Sequence, residues 1–513
     1  MANGDSGPGR FLHRPLYPDG RTVPAVEDGV PCEEPARPFV LAATILASAM
    51  AFIDRTVVTI ALPALQSDFG ASFSSLQWVV NAYALFMGGL ILIGGAAGDR
   101  FGRKRMFILG IVVFALASFT CAQAPSIDAL IAARAAQGMG AALLVPQSLA
   151  IIAASFPRDM RGRAIGIWAG AAAITTAMGP PLGGFLIDVL DWRAVFWINL
   201  PLSVVAVWLT LRYVPESRDS SASGPLDWRG GILAILALGA LTVALTLLPD
   251  SQGLTAPIAI LLVGGLIGVA LFVRTEARAL NPLMPLVLFR SRAFSAANVM
   301  TLFLYGAFGG ILFLLPFDLI ERRGMSAAEV GATLLPLGLV IGVVSRFAGR
   351  VADRHGPRIL LVLGSLLVTA AALGLAARLD GFLLGVLAPV LLLALGMALV
   401  VAPLTTAVMN TAPASRVGAA SGVSNAASRL AGLFAVAVLG SVASLVFFAD
   451  VNAAGLEAGG LRFGVLPGVT DANRAVLESA FLSAYSLALT VAAVWSALAA
   501  LTAFVFLRSV ATE

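Results

Sequence analysis

The sequence predicts an all-α integral membrane protein: two related six-helix bundles with two further helices inserted between them, fourteen transmembrane helices in all. Three observations lead there. Apolar residues make up 59% of the chain and charged residues 12%, against about 45–50% and about 25% in a soluble domain. Apolar stretches of roughly 20 residues, long enough to cross about 30 Å of hydrocarbon, recur along the chain. A short cationic loop, G-x-x-x-D-R-x-G-x-[K/R], occurs twice at an offset of 254 residues. Its first copy carries Gly95, Asp99, Arg100, Gly102, Arg103 and Lys104; its second carries Gly349, Asp353, Arg354, Gly356 and Arg358. One loop repeated between apolar segments implies two related halves, an arrangement in which membrane proteins place a binding site between the halves near the midplane.

Residues 1–37 are rich in Pro, Gly and charge, lack the apolar core of a cleaved signal, and read as a disordered tail. Residues 38–213 hold the first bundle, with spans near 38–62, 77–98, 105–124, 127–152, 162–187 and 193–213. Residues 214–293 form a linker carrying spans seven and eight, near 229–248 and 256–274. Residues 294–507 hold the second bundle, with spans near 294–319, 327–349, 358–378, 382–407, 416–448 and 479–507. A Gly-rich connection, about 450–478, separates the last two spans, and 508–513 is a tail. The repeat offset pairs spans one to six with spans nine to fourteen, which leaves seven and eight as the insertion.

Orientation follows from the excess of Lys and Arg in short cytoplasmic connections. With the N-terminus inside, cytoplasmic segments hold 23 Lys and Arg and the opposite connections hold 6, which supports an even number of spans and two cytoplasmic termini. The net charge of +5 therefore reflects topology, and no nucleic-acid partner is implied. Cys32 and Cys121 fall in different environments and imply no disulfide. His13 and His355 give no metal cluster, and no nucleophile–base set appears, so the chain is not read as an enzyme. The phosphate loop G-x-x-x-x-G-K-[ST] is absent, so ATP coupling has no support.

Charges inside spans cost at least ~2.5–3.5 kcal/mol on insertion scales and mark functional candidates. Asp54 and Arg55 lie in span one, Arg134 in span four and Arg429 in span thirteen. Burial pushes a carboxylate towards its neutral form and a neighbouring arginine pulls it back, so Asp54 could bind and release a proton as its surroundings change. A structural Asp–Arg pair joining two helices fits the same residues. Arg55 is either the partner of Asp54 or a snorkelling side chain. Asp318 and Glu321, beside Arg322 and Arg323, read as a solvated interfacial cluster. In the loop copies the Asp can cap a helix or bind an arginine across the half-interface, as a gate would, or the arginines can simply hold the loop inside. In span five, Gly179, Pro180, Gly183 and Gly184 combine helix bending with close packing. Thr56, Trp78, Tyr83, Gln137, Tyr305, Asn425 and Arg429 are candidates for a central cavity.

Taken together these residues resemble the major facilitator superfamily, and within it the fourteen-span drug:proton antiporters, over nearly all of 38–507. The first loop is similar to the superfamily signature between spans two and three, with Ala97 where leucine is usual. Asp54, Thr56, Ala61 and Pro63 match L-D-x-T-[IV]-V-N-[VI]-A-L-P, with Thr59 in place of the Asn. Arg134, Gln137, Gly138 and Gly140 match R-x-x-Q-G-x-G-A-A. Gly179, Pro180, Gly183 and Gly184 match the antiporter motif. Trp192, Arg193, Phe196, Ile198, Asn199 and Pro201 match W-R-x-x-F-x-I-N-x-P, and Asn425, Arg429 and Gly432 match N-x-x-x-R-x-x-G.

The resemblance implies a proton-coupled multidrug exporter in a bacterial inner membrane, with Asp54 and Arg134 in proton coupling. It implies the proton gradient as energy source, no cofactor, and alternating access about the loops. The implied partners are a small-molecule substrate, protons and the lipid bilayer, with the protein acting as a monomer. The second reading is a dedicated exporter of one metabolite, siderophore, antibiotic or lipid on the same scaffold.

Overall fold

The computed structural model describes residues 32–218, 227–249, 251, 254–279, 282–379, 381–411, 417–456, 463 and 471–507. Fourteen helices among them are long and apolar enough to cross a membrane. The first six are α1 (Glu34–Phe69), α2 (Phe73–Phe101), α3 (Arg103–Ala122), α4 (Ile127–Ser155), α5 (Asp159–Val189) and α6 (Ala194–Tyr213). The inserted pair is α7 (Trp228–Leu247) and α8 (Ala256–Glu276). The second set is α9 (Arg292–Arg322), α10 (Ala327–His355), α11 (Arg358–Ala376), α12 (Leu383–Asn410), α13 (Ala419–Ala453) and α14 (Asn473–Phe506).

Local chemistry sets the helix ends. The Ser72 side chain accepts from Ser75 N–H and starts α2; Gly102, at φ +111°, stops it. Ser126 caps α4 in the same way, and Ser326 with Glu329 forms a capping box at α10. Several helices outrun the apolar stretches because their ends carry polar residues that leave the hydrocarbon. The chain before α1 is also ordered further back than composition suggests. Cys32 is buried, its N–H donates to the Ser155 carbonyl at 3.0 Å, and Arg37 Nε donates to the Cys32 carbonyl. Residues 1–31 and 508–513 lie outside the described residues.

The halves meet along two seams, α5 against α10 and α2 against α13. The repeat offset maps α2 onto α10 and α5 onto α13, so each seam is the other's counterpart. The inserted α7 lies over the second seam. Trp78 Nε1 of α2 donates to Thr246 Oγ1 at 3.0 Å, and Ser441 Oγ of α13 donates to the Leu245 carbonyl at 2.6 Å. α8 packs on α7 and exposes Ile260, Val263 and Leu266, an apolar face suited to lipid.

The bundle has two unlike ends. The loop end carries the α2–α3 and α10–α11 connections; the far end is opposite. At the far end, the Asp188 carboxylate of α5 accepts from Ala327 N–H at 3.1 Å and Ala328 N–H at 2.8 Å. It thereby satisfies two of the free donors that begin α10. Phe73 of α2 sits 4.4 Å, ring to ring, from Phe463, which also meets Phe317, Phe447 and Phe481. Gln66 Nε2 donates to the Phe463 carbonyl at 3.1 Å. This aromatic plug and the Asp188 cap close the far end across the halves. At the loop end of α5, a Cβ on Gly162, Gly166 or Gly170 would meet nothing within 4 Å. The α5–α10 seam is therefore open at the loop end.

Asp188→Ala is expected to weaken far-end closure by ~1–2 kcal/mol, the cost of losing a helix cap. Electron–electron distance measurements between spin labels on the far ends of α5 and α10 check this; the expected result is a broader, longer distribution.

The Asp318 cluster corrects the sequence reading. Asp318 is 2% exposed, not solvated. A π turn over Asp318–Arg322 brings two consecutive arginines onto one carboxylate. Arg322 Nε donates to Asp318 Oδ1 at 2.5 Å and Arg323 Nε to Oδ2 at 3.0 Å. Hydropathy alone gives no sign of such a turn, because it depends on an i→i+5 bond from Arg323 N–H to the Asp318 carbonyl.

Candidate functional site: a buried carboxylate network beside an open cleft

Asp54 lies midway along α1 and is fully buried; Arg134 is 1% exposed. Arg134 and Gln137 are three residues apart on α4, so they share a face. Arg134 Nη1 donates to Asp54 Oδ2 at 2.5 Å and to Gln137 Oε1 at 2.5 Å. Gln137 Nε2 donates to Asp54 Oδ1 at 2.8 Å, so both carboxylate oxygens are engaged. Arg134 Nε donates to the Val79 carbonyl of α2 at 3.1 Å. The guanidinium lies over the Tyr83 ring at 4.4 Å, with the Phe196 ring at 5.9 Å.

The network extends away from the cleft. Gln137 Nε2 approaches Ser118 Oγ at 3.4 Å. Asn199 Nδ2 of α6 donates to Ser118 Oγ at 2.9 Å, and Ser118 Oγ donates to the Phe196 carbonyl at 2.9 Å. Ser118 had no sequence signal, being a lone hydroxyl in an apolar run. Asn199 was visible only as part of a motif. A charge pair fully enclosed in a membrane bundle is tolerable only with such satisfied partners.

The neighbouring Arg55 goes elsewhere. Successive residues on a helix point about 100° apart, so Asp54 faces α4 while Arg55 faces α13. Arg55 keeps solvent access, and its Nη2 lies 4.0 Å from where a Cβ on Gly432 would stand. It is not the partner of Asp54. Arg429 of α13 lies beside α2, its Cβ 3.5 Å from the position a Gly88 Cβ would take.

The cavity candidates separate into three groups. Tyr305 and Asn425 line a cleft of about 100 Å³ with Thr301, Thr405, Ser421 and Ser428. Arg429 follows Ser428 in sequence; Tyr83 is buried under the Arg134 guanidinium, its hydroxyl donating to the Ala51 carbonyl at 3.5 Å. Gln137 belongs to the buried network. Thr56 and Trp78 sit in helix seams instead: Thr56 Oγ1 bonds its own helix against Gly179, and Trp78 holds α7. Hydropathy could not distinguish a cavity wall from a helix seam for these two.

The span-five motif clamps α5 between two helices. Added Cβ atoms would strike Thr56 Oγ1 at Gly179, Val57 at Gly183, and the Ala327 carbonyl at Gly184. The Pro180 carbonyl in turn faces Gly331 of α10.

The two loop copies differ in their contacts. In the first, Asp99 accepts from Arg103 Nε and Nη2 at 2.9 and 2.7 Å, within its own half. Lys104 N–H donates to Glu216 Oε1 at 3.1 Å, Lys104 Nζ to the Leu211 carbonyl, and Arg103 N–H to the Ser217 carbonyl. Arg100 lies over the Phe101 ring. The first copy is thus tied to the segment after α6, and Glu216 is a contributor that sequence reasoning missed. In the second copy, Asp353 and Arg354 are exposed and Asp353 has no partner among the described residues; Arg358 lies over the Phe504 ring at 4.7 Å. Gly95 and Gly349 sit at ordinary contact distances from Pro146 and Ala402, and Gly356 ends α10 at φ +80°.

At Gly102 both backbone and space exclude a side chain: φ is +111°, and a Cβ would stand 2.7 Å from Glu216 Oε1. Gly102→Ala is expected to cost ~1–3 kcal/mol through backbone strain, more if Glu216 is displaced. Thermal unfolding in detergent checks it, with a fall in Tm as the expected result.

The sequence model of the Major Facilitator Superfamily matches residues 44–436. Among curated relatives, "Multidrug resistance protein Stp" of Mycobacterium tuberculosis is 37% identical over 403 residues, 78% of this chain and 75% of that protein. "Drug efflux pump JefA" of the same organism is 32% identical over 411 residues, 80% of each chain. The "Tetracenomycin C resistance and export protein" of Streptomyces glaucescens is 33% identical over 392 residues, 76% of this chain and 73% of that one. Among solved structures, a bacterial homolog of the human lysosomal transporter Spinster, inward-facing and occupied, superposes with a TM-score of 0.67. It is 19% identical and covers 93% of this chain and 98% of that one, a likeness of fold. The duplicated bundles, the paired seams and the family match agree: this chain is a multi-pass membrane protein of the Major Facilitator Superfamily.

Proposed function

We propose that the protein is a proton-driven exporter of amphipathic small molecules, working by alternating access in a bacterial cytoplasmic membrane. The observation that carries the reading is a closed Asp54–Arg134–Gln137 network set beside a cleft that is open at one end only. With both termini and the paired loops cytoplasmic, the open end faces the cytoplasm and the state is inward-facing. Substrate would enter the cleft from that side. Protonation of Asp54 from the other side would remove the charge that holds Arg134, and deprotonation inside would restore the pair. The coupling residues would be Asp54 and Arg134, with Gln137 orienting both.

Rocking about the two seams would make new contacts at the loop end, where Asp353 is available to bind an arginine of the opposite half. Drug efflux is supported by the names of relatives such as Stp and JefA. A dedicated antibiotic exporter is favoured by the name of the tetracenomycin C relative. No cofactor enters the mechanism, and a monomer contains every part of it.

The test is purified protein in liposomes with an imposed pH gradient and a reporter of internal pH. Substrate-dependent collapse of the gradient is the expected result. Substrate movement without proton movement, in vesicles that hold their gradient, would remove the antiport reading.

A further inference from the structure

Resting on the exporter reading, we propose that the central cleft binds organic anions: amphipathic molecules whose carboxylate or phenolate sits between Arg55 and Arg429.

Four observations support the site. First, two arginines of opposite halves meet at the α1–α2–α13 contact: Arg55 of α1 reaches Gly432 of α13, and Arg429 of α13 packs by its Cβ against Gly88 of α2. Arg55 Nη2 lies 4.0 Å from where a Cβ on Gly432 would stand, one helical turn along α13 from Arg429. Second, neither has a hydrogen bond or an ion pair among the described residues. The one deep carboxylate nearby, Asp54, is turned to α4 with both oxygens occupied by Arg134 and Gln137. That leaves the guanidinium groups of Arg55 and Arg429 without a protein counter-charge; Arg429 directly follows the cleft residue Ser428. A membrane interior penalises that arrangement unless water or a ligand supplies the counter-charge.

Third, the approach to Arg429 is polar along one face. Ser421, Ser424, Asn425 and Ser428 follow helical i, i+3, i+4, i+7 spacing on α13 and all line the cleft. The rest of the lining comes from α9 and α12, where Leu404, Val408, Met409 and the Tyr305 ring are interleaved with Thr301 and Thr405. The α13 wall suits a charged or hydrogen-bonding group, and the larger side chains of α9 and α12 suit an apolar body. Fourth, an aromatic ring fits the same ligand. Tyr305 lines the cleft, so its ring offers an aromatic ligand body a face while the arginines take the charged end. Arginine forks match carboxylates bidentately.

The assignment has a consequence for coupling. Exchange of one entering proton for one leaving monoanion moves two positive charge equivalents inward, so an interior-negative potential drives it. Exchange of one proton for one monocation is electroneutral.

The experiment uses the full chain in lipid nanodiscs and three matched probes: 1-pyrenebutyrate, its primary amide, and the corresponding pyrenebutylamine. Binding is read from tryptophan-to-pyrene energy transfer, corrected with empty nanodiscs. The acid is expected to bind at least roughly tenfold more tightly than the amide, as a charge-assisted bidentate contact allows. Arg55→Gln and Arg429→Gln should each erase most of that preference, weakening acid binding far more than amide binding. Arg429→Lys should retain part of it, which separates charge from folding. An acid that binds no better than the amide, or a preference that survives both glutamine variants, overturns the proposal. In liposomes, if the amine alone collapses the pH gradient, the anion site is wrong and the exporter reading stands. If the acid binds with arginine dependence but no probe moves protons, the anion site stands and the exporter reading falls.

Discussion

Asp54→Asn is expected to abolish uphill transport in energised vesicles while ligand binding persists. The substitution keeps the shape of the side chain and removes its titration. Uphill movement depends on one group that is charged in one state and neutral in the other, and Asp54 is the carboxylate enclosed with a counter-charge mid-bundle. An amide there is permanently neutral. It also places an NH₂ where one of two donors, Arg134 Nη1 or Gln137 Nε2, now points. Gln137 cannot flip to relieve this, because its Oε1 already accepts from Arg134. Breaking one side of a buried pair costs ~3–5 kcal/mol, so a stability loss towards that size is expected with the functional one. The double variant Asp54→Asn with Arg134→Gln removes the orphaned charge and should recover much of the stability without recovering transport. The assay is accumulation against a gradient compared with equilibration down one. Uphill accumulation by Asp54→Asn at the wild-type rate would remove Asp54 from the coupling role.

The architecture was legible in the sequence because its physics is additive along the chain. Fourteen apolar runs, an Arg-rich set of short connections and a repeated loop each register in local composition. The Asp54–Arg134–Gln137 set was visible as residue types, because charge in a span is expensive wherever it occurs. Its geometry was not visible. Which arginine pairs with Asp54 depends on a helix rotation of about 100°, and the adjacent Arg55 is as plausible on paper as Arg134, 80 residues away. Contacts made by ordinary residues were hidden for a different reason. Ser118, Glu216 and Asp188 act through partners on other helices or loops, and nothing in their own neighbourhoods distinguishes them from surface or packing residues. Thr56 and Trp78 show the converse: polar or aromatic character in a span suggested a cavity wall, and both were used to join helices.

The halves are related by repeat yet carry different tasks in the state described here. The Asp54 network lies wholly within the first bundle, between α1, α2, α3, α4 and α6. The polar cleft wall is on α9, α12 and α13 of the second. Arg55 and Arg429 are the groups that bring charge from both sides to the shared space. Asp54 and Arg55 are consecutive, so rotation or tilt of α1 that opens the Asp54–Arg134 pair also moves a cleft cation. That adjacency gives a direct mechanical route between proton and substrate, without a relay through intermediate residues.

Gly331→Ala is expected to exclude the far-end-closed state and cut uphill transport at least tenfold. A Cβ at Gly331 would stand 2.4 Å from the Pro180 carbonyl oxygen. The reciprocal contact is tighter still: at Gly184 a Cβ would stand 2.0 Å from the Ala327 carbonyl oxygen. These are backbone atoms of regular helices and have no rotamer by which to yield. Restoring van der Waals contact requires α5 and α10 to part by roughly an ångström, which close-packed interiors do not absorb without rearrangement. The Asp188 cap on α10 would lengthen with them, so two far-end contacts are lost together. Gly166→Ala is the control: it lies on the same α5, but at the loop end, where a Cβ meets nothing within 4 Å. Alanine there also favours the helix by ~1 kcal/mol, so this variant should hold the far end closed and lose no thermal stability. Spin labels at the two ends of α5 and α10 report both. For Gly331→Ala the far-end distance should lengthen and the loop-end distance shorten, as one rigid bundle rocks on the other. A far-end distance unchanged from wild type, with transport intact, would show that the glycine contacts are not what sets the closed state.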